Sequence, residues 1–431
     1  MMTYQEALDW ILGFQQFGSK MGLARMEWLM EHLGHPERSL RFVHIAGTNG
    51  KGSTTALVAS MLEAQGYRVG MYTSPYLDAF TNRIVVNGRD ISPSQLVRIV
   101  DRLRPLVEEV STTELGYPTV FEVITALALL FFAEEQADFV SWEVGLGGRL
   151  DATNIIPTPA AGVITNIALE HTQILGDTLP QIAGEKAGII KQGGWVVTGD
   201  RQPEVLEVFR QRCRAEGSQL WEIDQDFHAQ RMSYDMRGQH FSFEGPGLHL
   251  GDAKIQLLGA HQIDNAAVAL AAICALRQQG FTVSEQAILA GLASTRWAGR
   301  LEIMQDDPLV VLDGAHNMHG ILALRKAVEE FFANRERILV MGILGDKDYA
   351  PMLLHMAPLA KRVILTQPEY KRAANVDQLA AVLQGKGCEV ELVPSVPDAV
   401  RTAIKEANHG EMVLVCGSLY TVSEARAVWR K

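Results

Sequence analysis

Cysteine is scarce. The chain of 431 residues has four, Cys213, Cys274, Cys388 and Cys416, and none forms a CxxC pair or stands in a Cys/His cluster. That scatter excludes a zinc ribbon and a disulfide framework and fits a reducing compartment. Long hydrophobic runs are also missing. The most apolar stretch, Val120 to Ala133, carries Glu122 and falls short of the roughly 20 apolar residues that span a bilayer. Basic charge is in deficit, with 39 Lys and Arg against 50 Asp and Glu and a net charge of −11, which argues against a general nucleic-acid binder. An acidic sum still permits a local basic pocket for an anionic ligand. The opening MMTYQEALDWILGF carries Glu6 and Asp9 and no basic leading region, so no secretory signal is expected. These absences predict a cytoplasmic, soluble protein with neither membrane nor nucleic-acid partners. No internal repeat or low-complexity tract interrupts the chain.

What is present is enough apolar material for a substantial core, 47% of residues against 21% charged, in a chain long enough for two domains. Thr3-Tyr-Gln-Glu6 reads as a capping box opening an amphipathic helix. Strands are predicted near 41–45, 68–73, 84–86, 139–144, 161–166 and 195–198, with helices near 53–65, 93–110, 119–136 and 179–191. Strands alternating with helical crossovers predict a mostly parallel sheet covered on both faces. From about 219 to 258 the pattern shifts to glycine turns between alternating segments, which predicts short antiparallel strands. Helices near 262–278 and 284–294 follow. A second alternation begins at Leu309, with strands near 309–313, 337–342, 362–366, 389–393 and 411–416. The expected fold is therefore α/β with two domains. Residues 1–296 form a phosphate-loop domain with a small antiparallel portion, and residues 297–431 a Rossmann-like domain. The boundary falls near Thr295 to Leu301.

Between the first strand and its helix stands Gly47-Thr48-Asn49-Gly50-Lys51-Gly52-Ser53. Glycines allow successive backbone N–H groups to converge on one anion, and the helix N-terminus adds its positive end. Lys51 adds a full charge for the β/γ-phosphates, and Ser53 or Thr54 can face a magnesium ion. The spacing departs from the usual Walker form, with two residues between Gly47 and Gly50 and Gly52 after the lysine. Against the plain alternative of a surface turn, strand, loop, lysine and helix in register point to nucleotide binding.

HIAGTNGKGST resembles the ATP loop of the folylpolyglutamate synthases and dihydrofolate synthases, relatives of the Mur peptide ligases. Further motifs are similar in the same order: Thr73-Ser74-Pro75 with Phe80 and Arg83-Ile84; Glu143-Val-Gly-Leu-Gly-Gly-Arg-Leu-Asp-Ala-Thr-Asn154; Gly184-Glu-Lys186-Ala-Gly-Ile-Ile-Lys191; His261-Gln-x-x-Asn265-Ala; Trp297-x-Gly-Arg300-Leu-Glu302; and Asp313-Gly-Ala-His316-Asn317. They run from about 40 to 420. Two positions depart from the family pattern: Glu170 stands where Asp usually precedes the histidine, and Asn82 where Glu usually precedes the arginine.

The resemblance implies a set of roles. ATP would be held by Gly47 to Ser53 with Asn265, Arg300, Asp313 and His316. Two magnesium ions would be held by Ser53, Ser74, Glu143, His171 and Lys186, the last as N6-carboxylysine; taken alone, Lys186 beside Glu185 reads as a solvated helix charge. Lys51, Glu143, His171 and Lys186 would be the catalytic group. Phe121, Asp151, Ala152 and Arg83 would receive the folate, and His316, Ser418 and Tyr420 the L-glutamate. A monovalent cation is an additional possible ingredient, and a monomer is expected. The implied reaction is ATP-dependent addition of glutamate to a folate γ-carboxylate through an acyl phosphate, with dihydropteroate as an alternative or second acceptor. A Mur-type cell-wall ligase fits Gly52 and the Ser74-Pro-Tyr segment less well. A nucleotide-binding relative without catalysis would not need Lys51, Glu143, His171 and Lys186 together.

Overall fold

The computed structural model describes residues 2–18 and 21–430. Helices α1 (Tyr4–Gly13) and α2 (Ala24–Leu33) precede β1 (Phe42–Ala46), α3 (Lys51–Ala64), β2 (Val69–Tyr72) and the hairpin β3 (Ile84–Val86) to β4 (Arg89–Asp90). Then come α4 (Pro93–Ser111), α5 (Val120–Glu134), β5 (Phe139–Glu143), β6 (Ala161–Ile164), the single turn α6 (Thr172–Leu175) and α7 (Leu179–Lys186). β7 (Trp195–Thr198), α8 (Pro203–Glu216) and β8 (Gln219–Glu222) complete a sheet of order β4-β3-β2-β5-β1-β6-β7-β8. Along the order from β2 to β8 every pairing is parallel, and the β3–β4 hairpin adds an antiparallel edge, with β3 antiparallel to both β2 and β4.

The central strand β1 is buried along its whole length. Its side-chain alternation sends Val43 and Ile45 into one core with α3, and Phe42 into another with α4 and α5. A strand covered on both faces has no use for polar alternation, which is why it is apolar but for His44, itself buried against the Thr153 hydroxyl. The first face is finished by α9 (Ala260–Gln278) and α10 (Glu285–Ser294). Ala266 to Leu276 of α9 are buried without a break, so this helix is enclosed on all sides. Between β8 and α9, the antiparallel strands β9 (His228–Asp235), β10 (Gly238–Gly245) and β11 (Leu248–Ile255) send Phe241, Phe243, Leu250 and Ile255 into the same core.

The second sheet runs β12-β13-β17-β14-β15-β16. Its strands are β12 (Glu302–Asp306), β13 (Leu309–Leu312), β14 (Arg337–Met341), β15 (Arg362–Leu365), β16 (Glu389–Leu392) and β17 (Met412–Cys416). Helices α11 (Met318–Phe331), α12 (Tyr349–Met356), α13 (Val376–Leu383), α14 (Val396–Glu406) and α15 (Leu419–Arg426) cover it. All neighbours are parallel except β12 on β13.

Four expectations are corrected in detail. Residues 219–222 belong to the parallel sheet rather than the antiparallel portion, because α8 ends in the left-handed cap Gly217 and returns the chain beside β7. The second sheet begins with β12, an antiparallel edge strand hidden by its polar residues Glu302, Gln305 and Asp306 and by a register shift between Ile303 and Gln305, and not at Leu309. The phosphate-loop helix starts at Lys51, immediately after Gly50 at φ 86°. The helix expected over 179–191 stops at Lys186 and tightens into a single 3-10 turn, Ala187–Ile189. No helix among the described residues is long and apolar enough to cross a membrane.

Candidate active site between the two sheets

The central strands β5, β1 and β6 end side by side, and the loops leaving their carboxyl ends form one wall of a cleft, as open α/β sheets dictate. Gly47 (φ 140°) and Gly50 (φ 86°) shape the loop after β1. A Cβ on Gly47 would overlap Thr165 Oγ1 at 1.8 Å, and one on Gly50 would lie 2.2 Å from Asn265 Oδ1, so both the backbone conformation and the close approach demand glycine. Thr165 Oγ1 donates to the Asn49 carbonyl at 2.6 Å, and the Asn49 N–H donates to Asn166 Oδ1 at 3.2 Å. The Lys51 ammonium folds back on the loop, donating to the carbonyls of Gly47 (3.1 Å) and Thr48 (3.2 Å). Two residues on, Ser53 Oγ is buried and has no hydrogen-bond partner among the described residues. A buried orphan oxygen at this point invites a ligand.

Glu143, the last residue of β5, is buried, and its Oε2 accepts the Ser74 N–H at 3.2 Å. Burial raises its pKa, and the nearby Lys51 charge opposes that rise. His171 follows β6 in left-handed backbone (φ 52°), and burial lowers its pKa. Lys186 is 5% exposed, and its Nζ donates to the Gly47 carbonyl at 2.9 Å. Burial first, and then the charge of Lys51, bring its pKa down to about 7. The reading of Lys186 as a solvated helix charge is thus overturned: α7 is packed against the loops so that its last residue points inward.

The second sheet presents its own carboxyl ends to this wall. Asp313, after β13, is buried, and its carboxylate accepts the N–H groups of Leu301 (3.0 Å) and Ala315 (2.8 Å). Burial raises its pKa against the opposing charge of Arg300. Asn49 of the phosphate loop and Asn317, which caps α11, exchange amide hydrogen bonds at 3.0 and 3.3 Å. The resulting cleft, about 1150 Å³, is lined by the phosphate loop, Ser74, Glu143, His171, Asn265, Arg300, Asp313 and His316.

A second cavity of about 440 Å³ opens beside it, separated by Gly145 and His171, which line both. Arg83, Phe121, Asp151 and Ala152 come from the first sheet's side, and His316, Lys347, Arg372, Ser418 and Tyr420 from the second. Arg83 lies over Tyr76 (5.1 Å) and Phe80 (5.9 Å), with its Nε buried and without a partner among the described residues. Asp151 spends its carboxylate on the N–H groups of Leu146 and Thr153 and on the Thr153 hydroxyl. Ser418 caps α15 by accepting the Thr421 N–H at 3.0 Å, and Tyr420 stacks on Tyr370 with ring centroids 4.0 Å apart.

Two family models match the chain, the Mur ligase middle domain over residues 45–273 and the Mur ligase glutamate ligase domain over 299–419. A dihydrofolate synthase/folylpolyglutamate synthase of Bacillus subtilis is 40% identical over 432 residues, covering 98% of each chain. A folylpolyglutamate synthase of Lacticaseibacillus casei is 35% identical over 99% of this chain and 98% of its own. The crystal structure of Mycobacterium tuberculosis folylpolyglutamate synthase complexed with ADP and AMPPCP superposes with a TM-score of 0.92, at 33% identity over 99% of both chains. The chain belongs to the dihydrofolate synthase/folylpolyglutamate synthase family of Mur ligases.

All the site residues that the resemblance singled out line one or the other of these two adjoining cavities, apart from Gly47 and Lys186, which line the narrow cavity beneath the loop. Sequence reading missed Lys347, Tyr370 and Arg372. Lys347 had a usable signal, since Gly345-Asp-Lys347 leaves the carboxyl end of β14; Tyr370 and Arg372 sit in a loop whose course only the fold reveals. Also missed was the role of Glu170, whose carboxylate faces Lys347 Nζ at 3.0 Å and His316 Nε2 at 3.4 Å. Burial would raise its pKa, yet His316 and Lys347 outweigh that and hold it far below the usual carboxylate range.

Proposed function

We propose that this chain is an ATP-dependent ligase that joins the amine of L-glutamate to the γ-carboxylate of a folate through an acyl phosphate, as a folylpolyglutamate synthase. The observation that carries this reading is the meeting of a phosphate-loop cleft with a separate aromatic and cationic cavity at Gly145 and His171, so that a nucleotide's terminal phosphate and an acceptor's carboxylate reach one point. Residues 1–296 supply the nucleotide and folate half, and residues 297–431 the ligase half. The protein acts as a cytoplasmic monomer, which sedimentation checks.

A carboxylate oxygen of the folate attacks the γ-phosphorus of ATP, the bond to the β-γ bridging oxygen breaks, and ADP leaves. The glutamate amine then attacks the acyl carbon, loses its proton, and expels phosphate as the amide forms. Lys51 and the N-terminus of α3 offset charge on the transferred phosphoryl group. Asn265, Arg300, Asp313 and His316 complete the nucleotide site from both sides. Phe121 gives the pteridine an aromatic face and Arg83 an unspent donor, with Ala152 and Asp151 shaping the pocket floor. Ser418 and Tyr420, with His316, border the side from which glutamate enters. Water must be excluded because an acyl phosphate hydrolyses easily, and closure between the two sheets does this.

Two magnesium ions fit the donors present. Magnesium takes few protein oxygens and completes its shell with water and phosphate, and the orphan Ser53 Oγ and the buried Glu143 are such oxygens. No three His, Cys, Asp or Glu cluster into a cage among the described residues. Ser53, Ser74, Glu143, His171 and carbamylated Lys186 would hold the ions, which neutralise phosphate charge when bound. Carbamylation joins the neutral Lys186 amine to carbon dioxide with loss of a proton, and a pKa near 7 makes that neutral amine accessible.

The test is ATP-dependent incorporation of labelled glutamate into a reduced folate monoglutamate and, separately, into dihydropteroate. Product on the folate supports the proposal; ATP binding without product on either acceptor overturns it. Product on both supports a bifunctional enzyme, a reading favoured by the double name of the B. subtilis relative.

A further inference from the structure

Glu170 stands apart from the groups that the reaction uses directly. It follows β6 on the first sheet's side, and its side chain is only 10% exposed. Its Oε1 accepts from Lys347 Nζ at 3.0 Å and faces His316 Nε2 at 3.4 Å, and both of those residues belong to the second sheet's side. Lys347 is itself 15% exposed. His316 Nδ1 meets the Gly314 carbonyl at 2.8 Å, so both ring nitrogens face oxygen atoms and the ring plane is fixed. Lys347 and His316 both line the acceptor cavity, and Glu170 lines the narrow cavity beneath the phosphate loop. Elsewhere across the cleft, Asn49 exchanges amide hydrogen bonds with Asn317 and meets His319 Nδ1 at 3.0 Å, contacts that involve no carboxylate.

We propose that Glu170 is a positioning residue that latches the second domain onto the first, holding Lys347 and His316 over the junction of the two cavities so that the acyl phosphate is shielded until the amine arrives. The geometry requires a carboxylate of about this reach. It spans from the β6 loop to an ammonium and an imidazole on a different sheet, and a buried Glu–Lys pair of this kind is strongly weakened when one partner is lost, because the other charge is left desolvated. Backbone links do not fix the spacing, since the residues on the two sides are 146 and 177 positions apart by number (316 − 170 and 347 − 170). Closing the cleft keeps water from attacking the acyl carbon. If the latch is open, water takes the place of the amine, the bond to phosphate breaks, and ATP is spent without an amide being made.

This inference deepens the ligase reading and rests on it for its kinetic arm. The first measurement needs no turnover: small-angle scattering of the full-length Glu170→Gln protein should give a larger radius of gyration than the wild type. Equal radii overturn the proposal whether or not the chain is a folate ligase. The second measurement compares ADP released with amide formed. In Glu170→Gln the ADP-to-amide ratio should rise at least twofold and amide turnover should fall at least tenfold, with the KM for ATP changed less than twofold. Glu170→Asp, which keeps the charge but is one methylene shorter, should give a ratio between those of Glu170→Gln and the wild type. A fall in both products at an unchanged ratio overturns the latch in favour of a purely structural role. Loss of ATP binding overturns it as well, by placing the effect on the neighbouring His171 side. Absence of amide in the wild-type protein counts against the ligase reading instead, and the scattering result then decides the latch alone.

Discussion

Gly145 sits where the two cavities adjoin, and what it lacks matters as much as what its neighbours carry. A Cβ there would lie 2.4 Å from the Phe121 ring. The ring can yield only by swinging into the acceptor cavity, and overpacking of this size costs about 1–3 kcal/mol. Gly145→Ala should therefore raise the KM for the folate roughly tenfold while leaving the ATP dissociation constant within about twofold; steady-state kinetics and equilibrium binding separate the two. A different consequence attaches to Lys191, whose Nζ donates to the carbonyls of Asn154 and Ile156 beneath that pocket. Burial lowers its pKa from 10.5 to about 8. Between these values the unfolded chain binds the proton more than the folded one, so this group's contribution to stability rises as pH rises through the window and is flat below it. Lys191→Met should remove that slope. Urea midpoints of variant and wild type, compared from pH 7 to 10.5, should diverge progressively in the wild type's favour. Both residues stood in motifs readable from the sequence. Neither the ring facing Gly145 nor the burial of Lys191 was readable, because each depends on elements distant in the chain.

Helix α5 shows how an element can be legible in outline and still hide its purpose. The sequence placed a helix near 119–136 but did not show how it starts: in the structure a capping box opens it, with the Glu122 N–H donating to Thr119 Oγ1 at 3.2 Å and the Thr119 N–H to Glu122 Oε2 at 2.7 Å. The same carboxylate also receives Arg25 at 3.0 Å and is nearly inaccessible. Glu122 thus fixes the start of the helix that carries Phe121 into the acceptor cavity. Removing one partner of a buried pair costs about 3–5 kcal/mol, whereas loss of a capping hydroxyl costs about 1 kcal/mol. Glu122→Ala should accordingly destabilise the protein several-fold more than Thr119→Ala in chemical unfolding. Equal effects would mean that Arg25 contributes nothing beyond the cap. The helices α3 and α9 were legible for the opposite reason. Both are buried for most of their length; α9 displays an unbroken apolar run from Ala266 to Leu276, and α3 announces itself by the glycine loop before it.

At the scale of the molecule the two sheets point their carboxyl ends at each other and are tied at several places. Arg426 pairs with Asp78 at 2.9 Å, Arg231 with Glu330 at 2.9 Å, and Tyr234 packs on Phe331. A ligand bound across the cleft should stabilise the whole assembly by mass action, about 2.7 kcal/mol at a hundred times its dissociation constant. Magnesium and ATP should therefore raise the melting temperature of the wild type, and Lys51→Met should abolish most of that rise while leaving the unliganded melting temperature close to wild type. A persistent rise would remove Lys51 from the nucleotide site. What the sequence by itself determined was local: the loop of glycines before Lys51, the caps, the strand and helix periods, and through them the α/β class and the family. These follow from neighbours within a turn or a strand, where spacing alone dictates conformation. What only the tertiary structure decided was which strand lies beside which and what burial does to charge. The order β5-β1-β6 brought Glu143, the phosphate loop and His171 together, inward packing lowered the Lys186 pKa, and the facing of two sheets delivered Lys347 and His316 to Glu170. Contacts between residues a hundred or more positions apart carry no local period, so no pattern along the chain could announce them.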